Sequence, residues 1–221
     1  MSFNVAIDGP AGAGKSTIAK MIAKKMQYIY VDTGAMYRAM ALYLLRKNIS
    51  PEDSEAISRE CQNADISIRY ENGEQIVYLN GENVNGLIRT EEVGNMASKS
   101  SPNPDVRRKL VELQRQLAKT ADIIMDGRDI GTCVLPDANV KVYLTASSYV
   151  RAKRRYDELV QKGISCDFDE IEQDIIKRDH QDMTRALSPL KQAEDAVLLD
   201  SSDMSVEDVV NAVITMIQNA Q

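Results

Sequence analysis

Gly9-Pro-Ala-Gly-Ala-Gly-Lys-Ser-Thr17 spells the pattern G-x-x-x-x-G-K-[ST], and the residues on either side of it suit that reading. Ahead of it, Phe3-Asn-Val-Ala-Ile7 reads as a short buried strand. Behind it, Ser16 to Gln27 reads as a helix, with Ile18, Met21, Ile22 and Met26 at helical spacing. A strand that ends in a glycine-rich turn and passes into a helix aims successive backbone N–H groups, and the positive helix end, at one point. Such a point holds anionic phosphate oxygens. Gly9, Gly12 and Gly14 let the backbone curl close to the anion, with Pro10, Ala11 and Ala13 between them. Lys15 places an ammonium on the outer phosphates, Ser16 sets a hydroxyl where it can ligate magnesium, and Thr17 carries the loop into the helix. An ordinary strand-to-helix turn has no reason to carry Lys-Ser after its last glycine. A dinucleotide fingerprint fails in register, because residue 17 is Thr where a third glycine would follow Gly12 and Gly14.

With 221 residues the chain can bury a substantial core and fits one nucleotide-binding domain carrying an inserted subdomain. Its 43% apolar and 27% charged content is that of a soluble globular protein, and no apolar run approaches the length of a bilayer crossing. The first strand begins almost at the first residue, so no secretion signal is expected. A net charge of -6 repels polyanions, which argues against a nucleic-acid polymer as partner and leaves small nucleotides as candidates wherever arginines cluster. Cys61, Cys133 and Cys166 are odd in number, widely spaced and accompanied by the single histidine His180. That pattern speaks against a disulfide framework and a zinc site, and for a reducing cytoplasm.

Strands and helices alternate along the chain. Tyr28 to Val31 is β-prone and leads into a helical pattern from Ala35 to Asn48, and a short peripheral helix is expected between Ser50 and Asn63. Asp65 to Tyr70 and Glu74 to Leu79 alternate around Asn72-Gly73, a hairpin dipeptide, and a second turn follows at Asn80-Gly81. Helices are expected at Glu91 to Ser100 and Asp105 to Lys119, strands at Ile123 to Met125 and Val140 to Leu144. Two further helices, Ser148 to Lys162 and Asp167 to Met183, precede a strand at Ala196 to Leu199 and a closing helix from Val206 to Gln218. The pattern predicts an α/β protein of the P-loop NTPase fold. It has a parallel sheet with helices on both faces, a small antiparallel insertion and a helical flap.

Further charged segments follow, and in an open parallel sheet ligands collect beyond the carboxyl ends of the strands. Asp126-Gly-Arg-Asp129 ends a strand: Arg128 suits a bidentate phosphate contact, and Asp126 or Asp129 suits a base amino group or magnesium-bound water. Arg178, Asp182 and Arg185 fall at i, i+4 and i+7, one helix face suited to ribose and phosphate, although a solvated helix with internal pairing reads the same way. Arg151, Lys153, Arg154 and Arg155 follow a strand, as a flap closing over a triphosphate would, or as a plain basic helix face would. Arg38 lies one turn after Gly34, placed for an acceptor phosphate, and Tyr37 can stack on a base or sit in the core.

A P-loop alone does not choose among switch GTPase, motor and small-molecule kinase. The chain has no Asn-Lys-x-Asp element for reading guanine, and it is short for a motor. With the motifs in hand, the chain resembles the bacterial cytidylate kinases of the nucleoside monophosphate kinase family nearly end to end. The resemblance is carried by Ile7 to Thr17, Asp32-Thr-Gly-Ala-Met-Tyr-Arg38, Ile88-Arg-Thr-Glu-Glu-Val93, Asp126-Gly-Arg-Asp-Ile-Gly-Thr132, Arg178-Asp179 with Asp182 and Arg185, Ser188-Pro-Leu190 and Asp195-Ala196. It implies a single kinase domain over 1–221, with a core of 1–35, 104–150 and 184–221. A monophosphate-binding insertion takes about 36–103, and a flap with the arginine helix about 151–183.

The resemblance further implies that ATP, with Mg2+, binds the loop and Arg154, and that CMP or dCMP is the acceptor. Ser98, Arg107 and Asp129 would read the cytosine ring, Thr33 and Tyr37 frame it, and Arg178 and Asp182 hold the ribose. Arg38, Arg128 and Arg185 would take the acceptor phosphate, with Lys15, Arg128 and Arg185 as catalytic groups. A cytoplasmic monomer is the family expectation. Two other readings stay open on the residues: a kinase of UMP or of a non-nucleotide such as shikimate, and a non-catalytic sensor that binds ATP to gate a partner.

Overall fold

Every residue of β1 (Asn4–Asp8) from Val5 to Asp8 is buried, as a strand covered on both faces must be. The protein is described here by a computed structural model covering residues 2–71 and 73–221. Its chain divides into two units, one of Ile29–Ala121 with Ser2, the other of Phe3–Tyr28 with Asp122–Gln221.

The second unit holds β1 and three strands parallel to it: β6 (Ile123–Gly127), β7 (Val140–Thr145) and β8 (Val197–Asp200). Their order is β6-β1-β7-β8, with Asp8 level with Gly127 on one side and Tyr143 on the other. This register puts the ends of β1 and β6 side by side, so the residues that follow each strand emerge together. Helix α1 (Lys15–Met26) packs on β6 and β1, burying Ile18, Ala19, Ile22 and Ala23. Helix α8 (Val206–Ala220) packs beside it on β7 through Val209, Val210, Val213 and Ile217. Each fully buried aliphatic side chain contributes about 1.5–3 kcal/mol, which makes this the apolar centre of the unit.

Helices α6 (Ser148–Gln161) and α7 (Phe168–Thr184) pack against each other, and their core is thin. In seventeen residues α7 buries only Ile175; at its start Phe168 lies between the rings of Tyr149 and Tyr156, at 5.2 and 6.0 Å, and polar contacts such as Arg151–Asp179 and Ser148–Glu172 tie the rest of it to α6.

The first unit is built on α2 (Thr33–Arg46), which follows β2 (Ile29–Asp32) directly and buries Met36, Ala39, Met40 and Leu44 completely. Against it rest α4 (Glu91–Ser100), α5 (Pro104–Ala118) and the antiparallel sheet of β3 (Ile66–Glu71), β4 (Glu74–Leu79) and β5 (Glu82–Asn83). The hairpin pairs Ile66 with Leu79 through to Glu71 with Glu74, as the alternation predicts. Asn72 of the expected turn lies outside the described residues, while Gly73 has φ +79°. The peripheral helix expected before it is α3 (Ser54–Glu60), and Cys61–Asn63 continues it as one 3-10 turn.

Seven of the helices begin with a side chain that accepts a backbone N–H of the first turn: Asp32, Asp53, Thr90, Asn103, Ser147, Asp167 and Ser205. Helix α1 begins instead at Gly14, with φ +87° and no side-chain cap. Two elements have no counterpart in the sequence pattern, the two-residue strand β5 and a turn after β6. Ile130–Val134 forms a π-helical turn, because the Asp8 carboxylate accepts the Ile130 and Gly131 N–H groups at 2.7 Å each and draws that backbone in.

Candidate phosphoryl-transfer site

The loop 9–14 leaves β1 at Asp8 and enters α1 at Lys15, whose side chain is only 5% exposed. Its ammonium donates to the Pro10 carbonyl at 2.7 Å. Burial pushes the Lys15 ammonium down to about 7, Arg128 acts in the same direction, and Asp126, Asp8 and Asp182 oppose them. Burial also raises the Asp8 carboxyl to about 6, against the two N–H groups of Gly131 and Ile130 that favour its charged form. Asp8 is therefore a support for the turn Ile130–Val134, directly after Arg128 and Asp129. The sequence carried no signal for that role.

This state of Lys15 has a measurable consequence. Anionic phosphates placed beside Lys15 would favour the charged ammonium and raise its pKa, so at pH 8, above the value of about 7, nucleotide binding there is expected to take up a proton. Calorimetry of ATP binding at pH 8 in two buffers of different ionisation enthalpy should read an uptake near one proton per site. The uptake should vanish in Lys15→Met, and buffer-independent heats in the parent chain would contradict the assignment.

On the other flank of α1, Ser16 Oγ donates to Asp126 Oδ2 at 2.8 Å, so the loop hydroxyl and the carboxylate ending β6 share one spot. These are hard oxygen donors of the kind magnesium takes in partial sets, with phosphate oxygens supplying the rest. Among the described residues no three His, Cys, Asp or Glu side chains are grouped so as to hold a metal by themselves. Ser16 Oγ and Asp126 Oδ2 thus fit part of a magnesium shell.

Arg128, Asp129, Asp182 and Arg185 meet in the same unit. Arg128 Nε donates to Asp182 Oδ2 at 2.8 Å. The Arg185 side chain, 6% exposed, lies 3.5 Å from Asp129 Oδ1 and 3.8 Å from Asp182 Oδ1, and its Nε donates to the Ser188 carbonyl at 2.6 Å. Two guanidinium groups held by two carboxylates form a cluster able to exchange those carboxylates for a phosphate and a hydroxyl. Arg178 stands exposed on α7. Arg154 is exposed on α6 with Nη2 donating to the Ser201 carbonyl at 2.8 Å, and its Nη1 lies 4.0 Å from the position a Cβ on Gly14 would take. Lys153 and Arg155 instead pair along their own helix with Asp157 and Glu158, as a basic helix face does. Arg151 turns inward and is buried.

The remaining site candidates belong to the first unit. Thr33 opens α2 and is buried, Tyr37 and Arg38 lie one turn on, Ser98 is on α4, and Arg107 is on α5. The Arg107 side chain is buried, with its guanidinium 5.9 Å from the Tyr37 ring centre, in the range of a cation–π contact. Asp32 organises the start of α2. It caps the helix through Ala35, its carboxylate accepts from Arg89 Nη2 at 2.6 Å, and its backbone is gripped from both sides by the Gln75 amide of β4. Burial alone would raise the Asp32 carboxyl, but the Arg89 and Arg38 charges, with the Arg89 and Ala35 hydrogen bonds, hold it below the usual carboxylate range. A Cβ on Gly34 would lie 3.2 Å from Asp32 Oδ1 and 3.4 Å from Arg38 Nη1, so the absence of a side chain there keeps both groups close. Arg89 and Gln75 were not singled out from the sequence for any role, because their partners become neighbours only through the hairpin.

The family model for cytidylate kinase matches residues 5–219. The cytidylate kinase of Caldicellulosiruptor bescii is 50% identical over 214 residues, 97% of this chain and 95% of that one. That of Lactobacillus johnsonii is 49% identical over 219 residues, 99% and 95% of the two chains. Among solved structures, a gluconokinase from Sinorhizobium meliloti aligns over 99% of this chain and 93% of its own with a TM-score of 0.51 and 12% identity, a likeness of fold alone. A phosphate loop continuous with a parallel sheet, an arginine and carboxylate cluster at the ends of that sheet, and half of all residues shared over nearly the whole length lead to one conclusion: the chain belongs to the cytidylate kinase family.

Proposed function

We propose that the protein transfers the γ-phosphoryl group of ATP to CMP or dCMP, giving ADP and CDP or dCDP. The carrying observation is that the phosphate loop with Lys15 and the Arg128–Asp129–Asp182–Arg185 cluster lie in one unit, a cation set for a donor and a second set for an anionic acceptor. The loop N–H groups and Lys15 hold the triphosphate, with Arg154 beside Gly14. Ser16 and Asp126 would hold Mg2+ entering with ATP, and the ion would supply positive charge to offset that of the phosphates.

On the acceptor side, Arg38, Arg128 and Arg185 take the phosphate and Arg178 and Asp182 the ribose. Ser98, Arg107 and Asp129 read the cytosine edge, where the Asp129 carboxylate accepts from the exocyclic amino group, and Thr33 and Tyr37 frame the ring. An acceptor phosphate oxygen attacks the γ-phosphorus, the bond to the ADP oxygen breaks, and no covalent enzyme intermediate forms. Because the transition state is loose, alignment and charge carry the rate, and exclusion of water from the site suppresses hydrolysis.

The test is a coupled assay of ADP release with Mg-ATP against CMP, dCMP, UMP, AMP, GMP and no acceptor. Strong release with CMP and dCMP, and little with the others, is expected. Equal rates with AMP or GMP would remove the base-reading role of Asp129, and a flat panel with ATP still bound would remove the kinase reading.

A further inference from the structure

Arg151 has surroundings unlike those of the other basic residues on α6: Lys153 and Arg155 pair with Asp157 and Glu158 at the surface, whereas Arg151 is buried. Its side chain is 6% exposed. The guanidinium donates from Nε to the Ala146 carbonyl at 2.8 Å, from Nη1 to the Ala11 carbonyl of the phosphate loop at 2.9 Å, and from Nη2 to Asp179 Oδ2 on α7 at 2.6 Å. Its Cβ lies 3.4 Å from the position a Cβ on Gly12 would take, so the loop rests on the stem of the side chain as well as on its head. Asp179 is 14% exposed, and its Oδ1 is buried without a hydrogen-bond partner, so Arg151 is the principal compensation for that buried charge.

A planar fork holds several acceptors at fixed mutual positions, which an ammonium on a flexible stem does not. That matters here because α7 has almost no apolar anchor: with only Ile175 buried, its placement in the unit depends on polar contacts. Two carboxylates one turn apart supply them, Asp179 to Arg151 and Asp182 to Arg128. Arg128, Asp182 and Arg185 are the groups that exchange partners for substrate, whereas Arg151 faces the loop backbone and not the open side of the site.

We propose that Arg151 is a positioning residue for phosphoryl transfer. Through Ala11 and Asp179 it fixes the register of α7 against the phosphate loop, so that Arg178, Asp182 and Arg185 keep their placement relative to the donor while their own ion pairs exchange. The inference rests on the kinase reading given above.

The test compares Arg151→Lys and Asp179→Asn with the parent chain and with Lys153→Gln, a surface control, using Mg-ATP and CMP well below the melting temperature. Displacement of positioned groups by about 1 Å lowers rates up to about a hundredfold, so kcat should fall roughly ten- to hundredfold in both variants. The KM for ATP should stay within about threefold, as expected where ground-state binding is untouched, and Lys153→Gln should match the parent. Parental kcat in either variant overturns the proposal.

Removing one member of a buried pair can also unfold the chain, so the double variant Arg151→Met/Asp179→Leu replaces the pair with apolar groups of similar size. A melting temperature near the parent's with kcat still low is expected, and recovery of both would show that the pair serves the fold alone. A parent chain without CMP-dependent ADP release would sink the kinase reading instead. Amide hydrogen exchange then decides the coupling: Asp179→Asn should speed exchange in α7 and in residues 9–17 together, and acceleration confined to α7 would overturn it.

Discussion

Lys15→Ala is expected to lower kcat by about a hundredfold or more while the chain stays folded, the size of loss typical of one missing transition-state donor. The structure gives both halves of that expectation. The ammonium sits where loop, helix start and strand end converge, donating to the Pro10 carbonyl, and phosphate oxygens entering the loop offer it a better partner than a neutral carbonyl. Its charge is costly in the free chain, since burial brings the ammonium down to about 7. Truncation therefore removes a group the apoprotein holds under electrostatic strain, and the melting temperature should hold or rise. Turnover with ATP and CMP, measured beside thermal melting, checks both, and near-parental turnover in a folded variant would end the assignment of Lys15 as a catalytic group.

Gly9→Ala should be the most damaging single methyl group in the molecule. Gly9 has φ +148°, which side-chain-bearing residues rarely adopt, and a Cβ there would overlap the carbonyl oxygen of Leu144 and lie 3.0 Å from its carbon. Leu144 is main chain of β7, which pairs directly with β1, so the clash cannot be relieved by a rotamer change. Either the strands part or the loop leaves its path. Large values in mutational series, about 4 kcal/mol or more, come from such causes, and at about 2–4 °C per kcal/mol for a chain of this size the melting temperature should drop by roughly 10 °C. ATP binding should fail along with it. A variant that melts within about 2 °C of the parent would mean the Gly9 backbone is not held as described.

What could be read from the sequence follows the range of the forces involved. Helix starts were legible because a cap lies next to what it caps: Thr90 and Asn103 set the beginnings of α4 and α5 within a residue of expectation. The phosphate loop was legible for the same reason, since nine adjacent residues contain its whole geometry. The π-helical turn was not, because its cause is the carboxylate of Asp8, 122 positions before Ile130. The short strand β5 was likewise missed, two residues being too few for any alternation to show. Arginines could be counted but not sorted. Arg151 and Arg155 are four residues apart on one helix, yet one is buried against the loop backbone and the other pairs with Glu158 at the surface. Sequence spacing carries no mark of that difference, which comes from where α7 and the loop lie.

The missing cap on α1 has a consequence for how the chain discriminates. Among the described residues, each of the other seven α-helices meets a first-turn N–H with a side chain belonging to the protein, so an anion reaching any of those ends must compete with an oxygen already bonded there. At Gly14 no such competitor is encoded. On the proposed function, selection of the phosphate site would then work partly by occupation of the alternatives: seven α-helix starts carry a competing oxygen of the protein, and the start of α1 carries none.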